Sequence, residues 1–324
     1  MKTLITSAVL LAGAAQAQEA RQVATPSSAA MVDALNATFG SHAGKRASHA
    51  KGVCATGEFV PAPKLADFVQ SPLFAARSIP ANVRLSIGGG NPNASDKSRS
   101  VRGLSMRLAG RNEQYDLLLV SEPVFFAATP ASFVSFLQAR VPDPATGKPD
   151  PARIAAHNAA YPDGARQPAL LAAHAAPGSY ATTPYFSNNA FVFTNRRKVK
   201  TTARIVVEPE AGTHYLSAEE EKSFPDTFLP EELGQRLARG PVGFTLFAQL
   251  PAPGDSLVDP STAWEGAGKV ELGRLRITAL ASQDSCDGIV YMPLSLPAGI
   301  APGADPILQA RGAPYAISFS RRTK

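Results

Sequence analysis

The sequence predicts an α+β fold on an antiparallel sheet or barrel, and three observations point there. Strand-like runs fill the first third and the last third of the chain. Helical patterns gather in a block between them instead of alternating with strands as βαβ units, which argues against a parallel sheet. Loops are rich in proline and glycine, with 28 and 25 of each among 324 residues. With 44% apolar and 18% charged residues the composition is that of an ordinary globular chain. No internal repeat or compositional break marks a boundary, so residues 30–324 read as one large domain.

The first residues stand apart. Lys2 is followed by an apolar run from Leu4 to Ala15 and a small-x-small site at Ala15-Gln16-Ala17, the layout of a cleavable signal peptide over residues 1–17. The run is too short for a membrane span, and no later segment approaches ~20 apolar residues. Residues 18–29 read as a flexible leader, and an exported, periplasmic protein is expected. A helix follows, with Ser27 or Ser28 as cap, Met31, Leu35 and Phe39 on one face, and Gly40 as its stop. Strands are predicted over 53–60, 82–88, 101–109 and 115–120. Alternation is clearest in "VRGLSMRLAG", where Val101, Gly103, Ser105 and Arg107 share one face and Arg102, Leu104, Met106 and Leu108 the other. The three glycines 88–90 read as a bend at a strand end, since the lysine and hydroxyl of a phosphate loop are missing.

In the helical block, "TPASFVSFLQARVPD" begins with Thr129 as cap and Pro130 at the first helical position. "DPARIAAHNAAYPDG" repeats the device with Asp150 and Pro151, and "QPALLAAHAAPGS" is a third, short helix closed by Pro177-Gly178. Strands return over 190–194 and 199–208, a helix covers 230–239, and "VGFTLFAQL" and "KVELGRLRITAL" are strong strands.

Composition and motifs exclude several functions. The net charge of +6 comes from scattered basic residues, without a nucleic-acid-binding motif. A positive surface favours anionic ligands, carboxylate-bearing cofactors among them. The histidines other than His49 (His42, His157, His174 and His214) are spread out and lack carboxylate partners in local sequence, and neither H-E-x-x-H nor G-x-S-x-G occurs. Cys54 and Cys286 are too few for a disulfide scaffold; an oxidising compartment permits a bridge, and two buried free thiols are the simpler reading.

Near the C-terminus Arg311 and Tyr315 are four apart, hence on one face if the stretch is helical. A guanidinium held near a phenol favours the phenolate, and tyrosinate is one of the proximal ligands of haem iron. The same spacing also fits an exposed tyrosine in a terminal helix, and Pro314 weakens the helix.

Two distant stretches resolve this. "RASHAKG" at 46–52 resembles the distal-histidine signature of haem catalases, and "DPILQARGAPY" at 305–315 resembles their proximal signature. "VRLSIGGGN" at 83–91 and "YDLLLVSEPVFFAATP" at 115–130 follow the same order between them. Over residues 30–324 the chain is similar to the small exported branch of that family, the catalase-related peroxidases. The resemblance implies a catalase-like antiparallel β-barrel with surrounding helices, and a haem b cofactor. Tyr315 would be the iron ligand, with Arg311 holding it as phenolate. His49 would be the distal acid–base, oriented by Ser86. Arg46, Arg84 and Arg322 would bind the haem propionates, and Phe126 and Phe133 would pack on the haem. Lys45 and Lys51 read as solvated.

Two departures matter. The family's distal asparagine, two residues before the proline of the P-x-F-F segment, is Ser121 here, whose shorter reach argues for weak disproportionation of peroxide. The C-terminal part of full-length catalases, which laces subunits together and in some members carries a nucleotide site, has no counterpart. The expected activity is therefore a peroxidase that reduces H₂O₂ or small organic peroxides with an external small-molecule donor. A true catalase and a non-catalytic haem carrier are the alternatives. NADPH binding is not expected, and the chain is expected to be a monomer or a loose homo-oligomer.

Overall fold

The computed structural model describes residues 25–324; the expected signal peptide and the first part of the leader lie outside the described residues. Helix α1 spans Ser28–Phe39, with the Ser27 hydroxyl accepting from the Ala30 amide and Gly40 ending it at φ +86°. The fold thus starts two residues earlier than expected, because Ser27 is the cap.

Strands β1 (Gly52–Pro61), β2 (Ile79–Ile87), β3 (Arg102–Gly110) and β4 (Glu113–Val120) form an antiparallel meander. Helices α2 (Pro130–Ala139), α3 (Pro151–Ala160) and α4 (Arg166–Ala172) follow. Thr129 caps α2 in a capping box with Ser132, and Asp150 caps α3. Then come β5 (Tyr185–Thr194), β6 (Lys200–Pro209), α5 (Ala218–Ser223), α6 (Phe228–Leu237), β7 (Val242–Leu250) and β8 (Gly268–Ala281). The chain finishes with α7 (Asp284–Asp287), β9 (Ile300–Pro302), α8 (Pro306–Ala310) and α9 (Gly312–Arg322). Among the described residues no helix is long and apolar enough to cross a membrane.

The sheet order is β4-β3-β2-β1-β8-β7-β6-β5, with β9 added to β5 and a β4–β5 pairing that closes the sheet into an eight-stranded antiparallel barrel. Alternation then decides what lies inside. Val83, Leu85, Leu104, Met106, Leu117, Leu119, Phe244 and Leu275 point into the barrel and are buried. Their neighbours in sequence form a second, outward face. Register sets this face out in rows: Gly52, Ser86, Gly103 and Val120 in one, Cys54, Arg84, Ser105 and Leu118 in the next, then Thr56, Asn82, Arg107 and Asp116. α1, α2, α8 and α9 pack together to cover it. Every sequence-predicted site residue lies on or under this cover except Ser121.

Candidate active site

His49 sits in the loop that enters β1. The Gly88–Gly90 bend lets that loop approach: a Cβ on Gly90 would come within 2.5 Å of the Ala47 carbonyl, and the Ala50 amide donates to Gly89 O at 3.1 Å. His49 itself is left-handed, at φ +55°, a conformation that costs energy for a non-glycine residue. Its Nδ1 is 3.0 Å from Ser86 Oγ on β2. The ring lies over Gly103, where a Cβ would stand 2.6 Å from Ser86 Oγ and 2.7 Å from His49 Nδ1. A glycine in the middle of β3 is therefore what lets the imidazole rest on the sheet.

His49 borders a cavity of about 530 Å³ shared with Tyr315, Arg311, Arg46, Arg322, Phe126 and Phe133. The walls are mostly apolar. Phe125, Phe126, Phe133 and Phe136 form a run of rings with centroids 4.3 Å (125–126), 5.2 Å (126–133) and 4.5 Å (126–136) apart. Met31, Leu35 and Phe39 from α1 face it, as their helical spacing predicts.

The proximal residues follow from the C-terminal helices. Arg311 ends α8, and Tyr315 lies in the first turn of α9. Pro314 is tolerated there because first-turn amides have no intrahelical acceptor. Arg311 Nη2 donates to the Tyr315 hydroxyl at 2.5 Å and Nη1 donates to Asn189 Oδ1 at 2.9 Å. Asn189 Nδ2 in turn donates to Asp305 Oδ2 at 2.5 Å, while Asp305 Oδ1 caps α8 through the Ile307 and Leu308 amides. Burial pushes the Asp305 carboxyl up, against the pull of Asn189, the two amides and Arg311. Asn189 and Asp305 were given no role by the sequence. Asp305 belongs to the proximal motif itself, and Asn189 reaches the site through a bulge between Phe186 and Ala190 in β5.

Positive charge dominates the remaining polar edge. Arg46, Arg84 and Arg322 gather around a second, smaller hollow with Lys45, Lys51 and Asp287. Burial is the main cause that lowers all three guanidiniums, and Arg46 lowers both others further, to about 10 for Arg84 and Arg322. Nε of Arg46 and of Arg84 are buried without a partner. Guanidiniums held this way suit bidentate carboxylates. Burial first, then Arg84, Arg311 and Arg46, push the His49 imidazole down to about 3, so it is neutral at ordinary pH.

Ser121 is a correction. Val120 pairs with Gly103 and lines the cavity, so the next residue turns to the opposite face. The Ser121 hydroxyl instead accepts from the Arg102 amide at 3.0 Å and faces Glu122, so it cannot present a hydrogen bond to a ligand beside His49. An isopropyl group, that of Val120, takes the place where a polar side chain was expected. Three smaller readings also change. Lys51 is not solvated but pairs with buried Asp96 at 2.7 Å. His214 does have a carboxylate neighbour close in sequence, Glu220 at 3.1 Å, whereas that of His174 is Glu122 at 3.3 Å, distant along the chain. Cys54 and Cys286 are joined by a disulfide rather than free, with Cα atoms 5.8 Å apart. Among the described residues no group of three or more His, Cys, Asp or Glu side chains is placed to hold a metal ion.

The family model described as Catalase matches residues 16–323. The chain belongs to the catalase family. A catalase-related peroxidase of Synechococcus elongatus is 38% identical over 298 residues, covering 91% of this chain and 88% of that protein. One from Mycolicibacterium paratuberculosis is 33% identical, covering 90% and 93%. In structure the chain is similar to a fungal catalase (TM-score 0.77, 20% identity) and to catalase A of Saccharomyces cerevisiae (TM-score 0.77, 19% identity). Each match takes in 86% of this chain but only 59% and 61% of those longer catalases. This likeness establishes the barrel fold.

Proposed function

We propose that the protein is an exported haem peroxidase that reduces H₂O₂ or a small organic peroxide with electrons from an external small-molecule donor. One observation carries the reading: a neutral histidine held by Ser86 and a tyrosine held by Arg311 border the same apolar cavity. The residues present fit haem b. Tyr315 supplies a phenol oxygen for iron, the phenylalanine rings supply a flat apolar wall, and Arg46, Arg84 and Arg322 supply cations for two carboxylates, with unpartnered Nε atoms on two of them. When bound, haem supplies the iron centre at which the peroxide O–O bond is cleaved and through which two electrons pass from the donor.

The chain's own residues move the protons. His49 Nε2 takes the proton from the inner peroxide oxygen and hands it to the outer oxygen, which leaves as water or alcohol. This requires Nδ1–H to donate to Ser86 Oγ, leaving Nε2 as the free base. Val120 offers no hydrogen bond to a second peroxide, so oxidation of peroxide to oxygen lacks the positioning that its reduction has. Donor oxidation is accordingly the main reaction, and disproportionation is minor. The disulfide supports an oxidising, extracytoplasmic setting.

Oxygen release and donor oxidation, measured side by side on haem-loaded protein, test this. Peroxide-dependent donor oxidation that exceeds oxygen release is the expected result. Oxygen release at full stoichiometry without donor makes the protein a true catalase, and haem uptake without peroxide turnover makes it a carrier.

A further inference from the structure

Residues 284–292 close the polar end of the cavity, and their backbone directs the arginine cluster. Arg46 Nη2 donates to Cys286 O at 2.9 Å and Arg46 Nη1 to Ile289 O at 3.2 Å. Arg322 Nη2 donates to Asp287 O at 2.8 Å. Two of the three arginines assigned to the cofactor's carboxylates thus take their direction from carbonyls between 286 and 289. The third, Arg84, stands directly opposite Cys54 across the β1–β2 ladder.

That segment is pinned to the barrel at both ends. At its far end Arg107, itself paired with Asp116 at 2.6 Å, donates to Val290 O at 2.7 Å. Asp116 Oδ2 accepts from the Met292 amide at 2.8 Å, and the Tyr291 hydroxyl donates to Asn82. At its near end the covalent tie is the Cys54–Cys286 disulfide, both halves 1% exposed or less. Beside the two arginines themselves, neutral hydrogen bonds hold it, from Asn82 to Ser285 O and from Gln283 to Gly52 O. The β1–β8 ladder ends where Cys54 pairs with Ala281, and the bridge carries the attachment to β1 five residues further along the chain, to Cys286.

We propose that the Cys54–Cys286 disulfide is a positioning device for the carboxylate clamp: by fixing residues 286–289 to β1, it holds the guanidiniums of Arg46 and Arg322 toward the haem propionates. The proposal rests on the haem reading above. Without the bridge the carbonyls move apart from β1, the two side chains lose their acceptors, and the propionates lose charged hydrogen bonds. Arg322 ends α9, the helix whose first turn carries Tyr315, but the hydrogen bond of the iron ligand itself comes from Arg311 and not from residues 284–292.

Haem transfer to excess apomyoglobin tests it on three loaded forms: the oxidised protein, the protein reduced with a phosphine, and the Cys54→Ala/Cys286→Ala variant. Both broken forms should release haem about tenfold faster, the scale on which supporting contacts act at cofactor sites, with the Soret maximum unchanged. Iron protoporphyrin dimethyl ester is the control, because its esters carry no charge for the arginines to meet. The acceleration should largely vanish with it. Equal haem release from all three forms overturns the proposal, and so does equal acceleration for haem and ester, which makes the bridge a general scaffold. If the double variant does not fold, the reduced protein carries the same comparison; unfolding on reduction also makes the bridge a scaffold and overturns the proposal. Failure of the oxidised protein to show a Soret band overturns the functional reading instead, and is seen before any disulfide is broken.

Discussion

At the scale of single residues the site depends on one imidazole kept neutral and kept flat. Burial comes first among the causes that depress His49, and Arg84, Arg311 and Arg46 add to it. Bound carboxylates offset part of the guanidinium charge but none of the burial. A lowered value means that the free base survives into acid, so the peroxide step should hold its rate through pH 6.5 and fall only on the way to about 3. The pH profile of the bimolecular rate constant with peroxide checks this; an acid limb centred at or above pH 6.5 contradicts it. His49→Asn tolerates the left-handed backbone, so it should keep the Soret band while losing ~10²–10⁴ in that rate constant. Gly103→Ala is the companion test. Its Cβ meets both Ser86 Oγ and the imidazole at under 3 Å, so one of them must shift. Haem uptake should survive and the peroxide rate should fall by at least ~10-fold, as misplacing an acid–base group by a fraction of an ångström does.

At the scale of elements, what was legible in the sequence and what was not have separate physical causes. Periodicity of two identified β3 and its two faces, including Gly103 on the site side, because the barrel interior enforces strict alternation. Proline after a threonine or aspartate cap identified the starts of α2 and α3 to the residue, since those signals are local. The pairing of β1 with β8, more than two hundred residues apart, leaves no local trace, and neither does barrel closure. The same period of two explains the error at Ser121. A displacement of one residue on a strand moves a side chain to the other face, so Val120, not its neighbour, meets the cavity. Asn189 was hidden because a bulge, which re-aims side chains, breaks the alternation of β5 where it stands. This asparagine joins two elements, and its direction is set by Asp305. Asp305→Asn keeps Oδ1 as acceptor for both α8 amides but sets an amide nitrogen against Asn189 Nδ2. Thermal stability should change little, by under ~1 kcal/mol, while the visible spectrum of the bound ferric iron shifts as Arg311 loses its anchor. Asp305→Ala removes the cap as well and should cost ~1–2 kcal/mol in denaturant unfolding. An unchanged spectrum in both variants dismisses the Asp305–Asn189–Arg311 chain as a support for Tyr315.

At the scale of the whole molecule, the barrel and its helical cover are separate layers, and the cofactor cavity lies between them. The barrel interior is filled by its own side chains, whereas the cover contributes a smaller cluster from α1, α2 and α8, including Met31, Phe133, Leu137 and Ile307. Much of what joins the layers is therefore the cavity lining, and a ligand that binds only the folded form stabilises by mass action. In the proposed reading three parts of haem would meet three parts of the chain: its plane the phenylalanine rings, its carboxylates the arginines, and its metal Tyr315. Iron-free protoporphyrin keeps the first two and lacks the third. It should raise the melting temperature of the haem-free protein by several degrees, on the scale expected for a 1–3 kcal/mol ligand in a chain of this size. Haem should raise it further. The difference between the two isolates the iron–tyrosine bond, and Tyr315→Phe should erase that difference while leaving the porphyrin shift intact, as a coupling confined to one pair requires. If haem still outdoes iron-free porphyrin in the Tyr315→Phe protein by the parent margin, the iron is held by another residue, and the assignment of Tyr315 fails at the scale of the whole fold.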